Sequence, residues 1–293
     1  MTILTTPGWE DYELLDTGDG MRFERFGKYR VVRPDPQIIW KPRLSKAEWE
    51  KADAFFDNHD PSAGSGQGKW IRKNPVPEKW LLQYEDLFFW SQLTPFKHTG
   101  VFPEQSLQWS WMKEKIVGAQ RPINVLNLFA YTGIASLVAA SVDAKVTHVD
   151  ASRPTIGWAK DNQVASKLAN KPIRWILDDA IKFTEREIKR GVKYDGIIMD
   201  PPVYGHGPNG EKWNFATSFP FLLDVCRQVL SSKPLFIIVN AYAISASSLM
   251  LENILKDFTT DMGGEIEVGE LALEEKSAGR LLSTGIFGRW SSK

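Results

Sequence analysis

At 293 residues the chain can hold one large core, or a core with an appendage, and its 36 Lys+Arg balance 36 Asp+Glu to zero net charge. That balance excludes an argument from overall charge for a nucleic-acid partner, although a local basic face stays open. A single cysteine excludes an intrachain disulfide and a cysteine-rich metal site.

The opening M-T-I-L-T-T-P-G lacks the charged and apolar regions of a secretion signal. No apolar run approaches the roughly 20 residues of a membrane helix. A soluble, cytoplasmic protein with no membrane contact is expected. Residues 10–40 alternate apolar and polar around D-T-G-D-G and F-G-K, which predicts a meander of hairpins. Ser45 and Glu48 form a capping box, and K-A-E-W-E-K-A-D-A-F-F-D after it has helical spacing over 46–57. P-S-A-G-S-G-Q-G, residues 61–68, reads as a flexible loop. W-L-L-Q-Y-E-D-L-F-F-W-S-Q-L then predicts one or two strands ending near Pro95. Residues 1–95 thus read as a small, mainly β N-terminal domain, with tryptophans such as Trp9, Trp40, Trp49, Trp70 and Trp80 as packing anchors.

Residues 96–293 form a second domain. After F-K-H-T-G-V-F-P-E-Q, an amphipathic helix begins near Ser106, a possible cap. Short β-branched runs then alternate with helices: V-L-N-L-F, K-V-T-H-V-D, I-R-W-I-L, Y-D-G-I-I-M-D and L-F-I-I-V-N are the strands. A helix over 245–258 and two closing strands, E-I-E-V-G-E-L-A-L and S-T-G-I-F-G-R-W, complete the chain. The predicted class is α/β, a Rossmann-like doubly wound, mostly parallel sheet with antiparallel end strands.

In such a sheet, ligands lie beyond the C-terminal strand ends. The first strand breaks at Thr132-Gly133 and leads into I-A-S-L-V-A-A, where the glycine admits close approach and the helix start offers N–H groups. One glycine is not the dinucleotide fingerprint, which disfavours an NAD enzyme. Asp150 ends the second strand, 17 residues after Gly133, where an acceptor can take ribose hydroxyls. Asp178 or Asp179 ends the third and can accept an adenine amine; each is otherwise a helix cap. Asp200 opens D-P-P-V-Y-G-H-G-P-N-G. Pro201 and Pro202 fix an extended turn suited to aiming a carbonyl or carboxylate at an amine, and Tyr204 can stack on a planar base. The glycine-rich tail, with His206 as a solvated loop residue, reads as a mobile lid. His98 and His148 have no partner at metal spacing, so no metal is expected.

N-L-F-A-Y-T-G, V-D-A-S-R, D-D-A and M-D-P-P-V-Y together resemble a class I S-adenosylmethionine-dependent methyltransferase, and most of all the bacterial methyltransferases of large-subunit ribosomal RNA. F-K-H-T-G-V-F-P-E-Q is similar to the K-T-G-x-F-x-D-Q segment of that group. The RNA-binding PUA domain of some members is not evident. The resemblance implies S-adenosyl-L-methionine as cofactor and RNA, in rRNA processing, as substrate. It places Phe129, Tyr131, Thr132 and Gly133 around the methionine moiety, with Asn127 and Ala130 in the same stretch. Asp150 would hold the ribose, with Ala151 and Ser152 beside the adenine. Asp178, Asp179 and Ala180 would bracket that ring, and Phe102, Glu104 and Gln105 would cover the cofactor. Asp200, Pro201, Pro202 and Tyr204 would face the methyl group as the catalytic set.

Members that methylate carbon 5 of cytosine use a cysteine where this chain has Asn240, Ala241 and Tyr242. Cys226 falls on the apolar side of a helix and reads as structural. Without a thiolate, a base nitrogen is the favoured acceptor. The alternatives are a small-molecule or protein methyltransferase, a cytosine-C5 relative with an altered site, and a non-catalytic RNA-binding protein.

Overall fold

The computed structural model describes residues 1–58 and 68–293, so the glycine-rich stretch 61–68 lies, apart from Gly68, outside the described residues. The chain divides into two compact units. The larger comprises Met1–Leu4, Gln105–Leu271 and Thr284–Lys293; the smaller comprises Thr5–Glu104 and Ala272–Ser283.

The chain starts with β1 (Thr2–Thr6). In the smaller unit, β2 (Tyr12–Gly18), β3 (Met21–Phe26) and β4 (Tyr29–Pro34) form the expected antiparallel meander. Ser45 caps α1 (Lys46–Trp49), its side chain accepting from the Glu48 N–H, but the helix lasts one turn. The expected continuation to 57 is instead β5 (Ala54–Asp57), which pairs parallel with β4 through Val31–Ala54 and Val32–Phe55. Burying Ala54 and Phe56 in a sheet outweighs the weak helical preference of a short segment. β6 (Lys69–Arg72) closes that sheet, and β7 (Lys79–Tyr84) with β8 (Leu87–Gln92) forms a separate hairpin.

Indole N–H groups tie this unit together: Trp49 donates to Asp16, Trp70 to the Thr94 carbonyl and Trp80 to the Phe26 carbonyl. Asp16 is a hub, accepting also from the Arg43 and Leu44 N–H groups, Ser277 and Arg280. Arg280 and Thr17 both bond Glu275. These bonds explain why residues 272–283, distant in sequence, belong to the β-rich unit.

In the larger unit the turn Pro103–Gln105 leads into α2 (Ser106–Gly118). Ser106 is the first helical residue rather than the cap; Gln105 holds the cap position without a side-chain cap bond. Strands and helices then alternate: β9 (Asn124–Leu128), α3 (Ile134–Ser141), β10 (Lys145–Asp150), α4 (Arg153–Ala165), β11 (Ile173–Leu177), α5 (Ala180–Lys189) and β12 (Gly196–Met199). The stretch expected as a mobile tail is a hairpin of β13 (Tyr204–His206) and β14 (Lys212–Asn214), followed by α6 (Phe215–Val229). β15 (Phe236–Ala241), α7 (Ser248–Phe258), β16 (Glu265–Glu274) and β17 (Leu281–Ser291) finish the chain. The helix expected from 245 starts at Ser248, after a loop.

The main sheet runs β1-β16-β17-β15-β12-β9-β10-β11. β15, β12, β9, β10 and β11 are parallel, and β17 joins antiparallel to β15. A Cβ on Gly269 would overlap the Thr2 carbonyl oxygen at 1.7 Å, so only glycine lets β1 lie against β16. Leu126, Leu128, Ile197, Met199, Ile237 and Val239 are buried with Phe219, Leu222 and Trp290 from neighbouring elements. Each such side chain contributes on the order of 1.5–3 kcal/mol. Among the described residues no helix is long and apolar enough to cross a membrane.

Candidate active site

The order of the parallel strands reverses at β9, whose neighbours are β10 on one side and β12 on the other. That reversal opens a crevice at the C-terminal strand ends. Leu128 pairs with Met199, so Phe129 and Asp200 leave the sheet side by side.

The turn after β9 is tightly wound. Phe129 (φ 56°), Tyr131 (φ 49°) and Gly133 (φ 82°) all have left-handed backbones within five residues. Such geometry is costly for non-glycine residues and persists where surrounding bonds impose it. Here the Ala130 N–H donates to the Val149 carbonyl at 3.1 Å, and the Tyr131 N–H to Asp150 Oδ2 at 2.8 Å. Asn162 Nδ2 donates to the Thr132 carbonyl at 2.9 Å. Below the turn, Asn127 Nδ2 donates to Ser136 Oγ at 2.9 Å, and Ser136 Oγ lies 3.1 Å from His148 Nδ1. Burial pushes His148 down to about 3, so its ring is neutral. Asn127 thus directs its amide into the support beneath the turn.

Asp150 is more committed than its position alone implies. Its Oδ1 accepts from the Ser152 N–H at 2.8 Å and Thr155 Oγ1 at 2.9 Å, while Oδ2 takes the Tyr131 N–H. Three of about four acceptor positions are therefore used. Ala151 and Ser152 follow, and Ser152 caps α4. At the next strand end Asp178 bonds the Asp179 N–H and pairs with Arg186, while Asp179 caps α5 by accepting from the Lys182 N–H. Ala180, the first residue of α5, is buried.

The D-P-P turn is held from two sides. Gln105 Nε2 donates to Asp200 Oδ2 at 3.1 Å. Trp213 Nε1 donates to the Pro202 carbonyl at 2.7 Å, and its ring packs on Phe129 with centroids 4.7 Å apart. Trp213 therefore links the two turns directly. Lys182 anchors the β13–β14 hairpin through Glu211 at 2.7 Å and holds that carboxyl down to about 2. Pro201 is buried, whereas Tyr204 is 73% exposed beyond it. Phe102 and Glu104 belong to the smaller unit, where Glu104 is buried and its carboxyl is raised by that burial. Cys226 is fully buried and its thiol is pushed well up by burial.

The structure adds residues that sequence reading passed over: Trp213, Lys182, Glu211, Ser136, Asn162, Gln108 and Arg289. Only Gln108 left a local signal, since Gln105 and Gln108 lie three apart on one helical face.

The S-adenosylmethionine-dependent methyltransferase family matches over residues 57–258, and the chain belongs to it. The chain is 44% identical to the crystallised SAM-dependent methyltransferase from Agrobacterium tumefaciens, with a TM-score of 0.95 over 100% of this chain and 94% of that one. It is also 34% identical over 199 residues to the ribosomal RNA large subunit methyltransferase K/L of Shewanella baltica, covering 63% of this chain and 26% of the relative. The same-named protein of Pseudoalteromonas atlantica is 35% identical over 179 residues, covering 60% and 22%. The chain spans about a quarter of the length of these curated relatives.

The chain is thus an S-adenosylmethionine-dependent methyltransferase of Rossmann-like fold. The observed donor set suits that cofactor: an acidic residue at the second strand end, a tightly wound backbone turn beside it, and a capped helix at the third.

Proposed function

We propose that this methyltransferase modifies a base nitrogen of ribosomal RNA, in the cytoplasm. The cofactor supplies a methyl group on a positively charged sulfur, and the protein has to align a nucleophile with it. The observation that carries the reading is the joining of the D-P-P turn to the Phe129–Gly133 turn through Trp213. It sets the acceptor side against the cofactor side at the sheet's switch point.

In this reading the Phe129–Gly133 backbone receives the methionine moiety, and Gln105 closes over it. Asp150 has room for about one ribose hydroxyl rather than two, given three donors already on it. Asp178, Asp179, Ala151, Ser152 and Ala180 border the adenine.

On the acceptor side, the Pro202 carbonyl accepts from Trp213 and the Asp200 carboxylate from Gln105, and the Asp200 carboxylate with the Pro201 carbonyl is read as orienting an amine and dispersing its developing positive charge. Tyr204 stacks on the base. Nitrogen is favoured over cytosine carbon 5 because the chain's one thiol, Cys226, is buried and unionised, and Asn240 stands at the C-terminal end of β15. The RNA assignment is supported by the names of the two curated relatives. The smaller, β-rich unit is taken as an accessory domain, and the larger unit as the methyltransferase domain.

The test is transfer of tritiated methyl from S-adenosylmethionine to separate RNA, protein and small-molecule fractions of a bacterial lysate. Label in large-subunit RNA supports the proposal; label only in another fraction defeats the RNA assignment.

A further inference from the structure

A line of side chains, half-buried at Asp200 and Gln105 and buried at Asn240, Gln108 and Arg289, runs from Asp200 into the sheet. Asp200 Oδ2 accepts from Gln105 Nε2 at 3.1 Å, and Gln105 Oε1 accepts from Asn240 Nδ2 at 2.7 Å. Asn240 Oδ1 accepts from Gln108 Nε2 at 3.3 Å, and Gln108 Oε1 from Arg289 Nη1 at 3.2 Å. Arg289 is 8% exposed, bonds Glu267 at 2.6 and 2.8 Å, and lies over the Trp111 ring at 4.6 Å.

A carboxamide turned end for end swaps donor for acceptor at little cost in shape, so three in a row need something to fix their direction. A guanidinium only donates, so the Gln108 atom facing Arg289 has to be oxygen. Its amide group then faces Asn240, the Asn240 amide faces Gln105, and the Gln105 amide faces Asp200. At the far end Asp200 Oδ2 accepts the Gln105 N–H, which keeps the same direction.

We propose that Arg289, Gln108, Asn240 and Gln105 form a one-way hydrogen-bond relay of positioning residues that orients the Asp200 carboxylate for the methyl acceptor. The proposal rests on the reading that Asp200 faces that acceptor.

Gln108→Glu tests the relay with a side chain of nearly the same shape. The new carboxylate still accepts from Arg289, and it sits in the first turn of α2, where negative charge is favourable. It cannot donate, so Asn240 and Gln105 reverse and the Gln105 oxygen meets Asp200. Thermal unfolding checks that the variant is folded at the assay temperature, and calorimetry measures the change in S-adenosylmethionine Kd that reversal of Gln105 brings. With deproteinised large-subunit ribosomal RNA as acceptor, kcat should fall about tenfold at unchanged KM, the scale of one lost charge-assisted hydrogen bond. An unchanged kcat overturns the relay.

A second readout needs no turnover. With 15N-glutamine labelling, Asp200→Ala in the parent should shift the Gln105 side-chain amide resonances, because that amide donates to Asp200; in the Gln108→Glu background the amide faces Asn240, and the same replacement should leave them nearly in place. An equal response to Asp200→Ala in both backgrounds overturns the relay whatever the assay shows. If the parent protein labels no ribosomal RNA, the acceptor assignment falls, and the resonances still decide the relay.

Discussion

Gly133→Ala probes the cofactor turn at its most constrained point. Gly133 has φ 82° and ψ 11°, a left-handed conformation. Placing an L-residue there costs roughly 1–2 kcal/mol. An added Cβ would also meet Ala159 Cβ at 3.0 Å and His148 Cε1 at 3.4 Å. Neither neighbour yields easily, since Ala159 is fully buried in α4 and His148 is fixed through Ser136. The turn has to shift away from α4 by a few tenths of an ångström, and the combined cost is about 2–3 kcal/mol. If half or more of that cost falls on the bound geometry, affinity for S-adenosylmethionine drops about 10- to 100-fold. Isothermal calorimetry on both proteins measures it, with thermal unfolding to check that the sheet is intact. A Gly133→Ala protein that keeps the parent Kd within twofold refutes the claim that this turn receives the cofactor.

Trp213→Phe keeps the ring on Phe129 but removes the N–H that bonds the Pro202 carbonyl at 2.7 Å. A loss of about 1 kcal/mol is expected in transition-state alignment, read as a roughly fivefold lower kcat with little change in cofactor Kd. The buried, neutral His148 makes stability depend on pH. Its folded-state value, about 3, lies below the unfolded value near 6.5, so its stabilisation is complete above pH 6.5 and is lost as pH falls toward 3. Between pH 7.5 and 5.5 that loss is about 1.4 kcal/mol. Urea unfolding of His148→Gln should lose less over the same interval by about that amount, and parallel losses in both proteins would contradict the neutral-ring account.

Much of the larger unit was legible because its strands are short β-branched runs, each followed by a helix of separate periodicity. The single Gly133, Asp150 and D-P-P were readable as site features because each sits just past such a run. What escaped the sequence has physical reasons. Ala54–Asp57 carries helical spacing, yet pairing with Val31 and Val32 makes it a strand. The glycine-rich tail read as mobile because glycine usually permits it. Here Tyr204–Asn214 pairing and the Lys182–Glu211 contact order it. Met1–Leu4 and residues 272–283 each join the unit opposite to the one their position in sequence implies. Asp16 and Ser277 meet across 261 positions, a separation no local pattern records. Gln108, Asn240 and Arg289 are likewise brought together only by the folded sheet.

The central claim is that a site without a cysteine nucleophile moves a methyl group onto a base nitrogen. The direct measurement uses S-adenosylmethionine carrying a 13C methyl group and unmodified large-subunit ribosomal RNA, digested to nucleosides and analysed by mass spectrometry. The account predicts the heavy methyl on a base nitrogen, and its absence when Asp200 is replaced by Ala. Heavy 5-methylcytidine, or label that persists without Asp200, would contradict it.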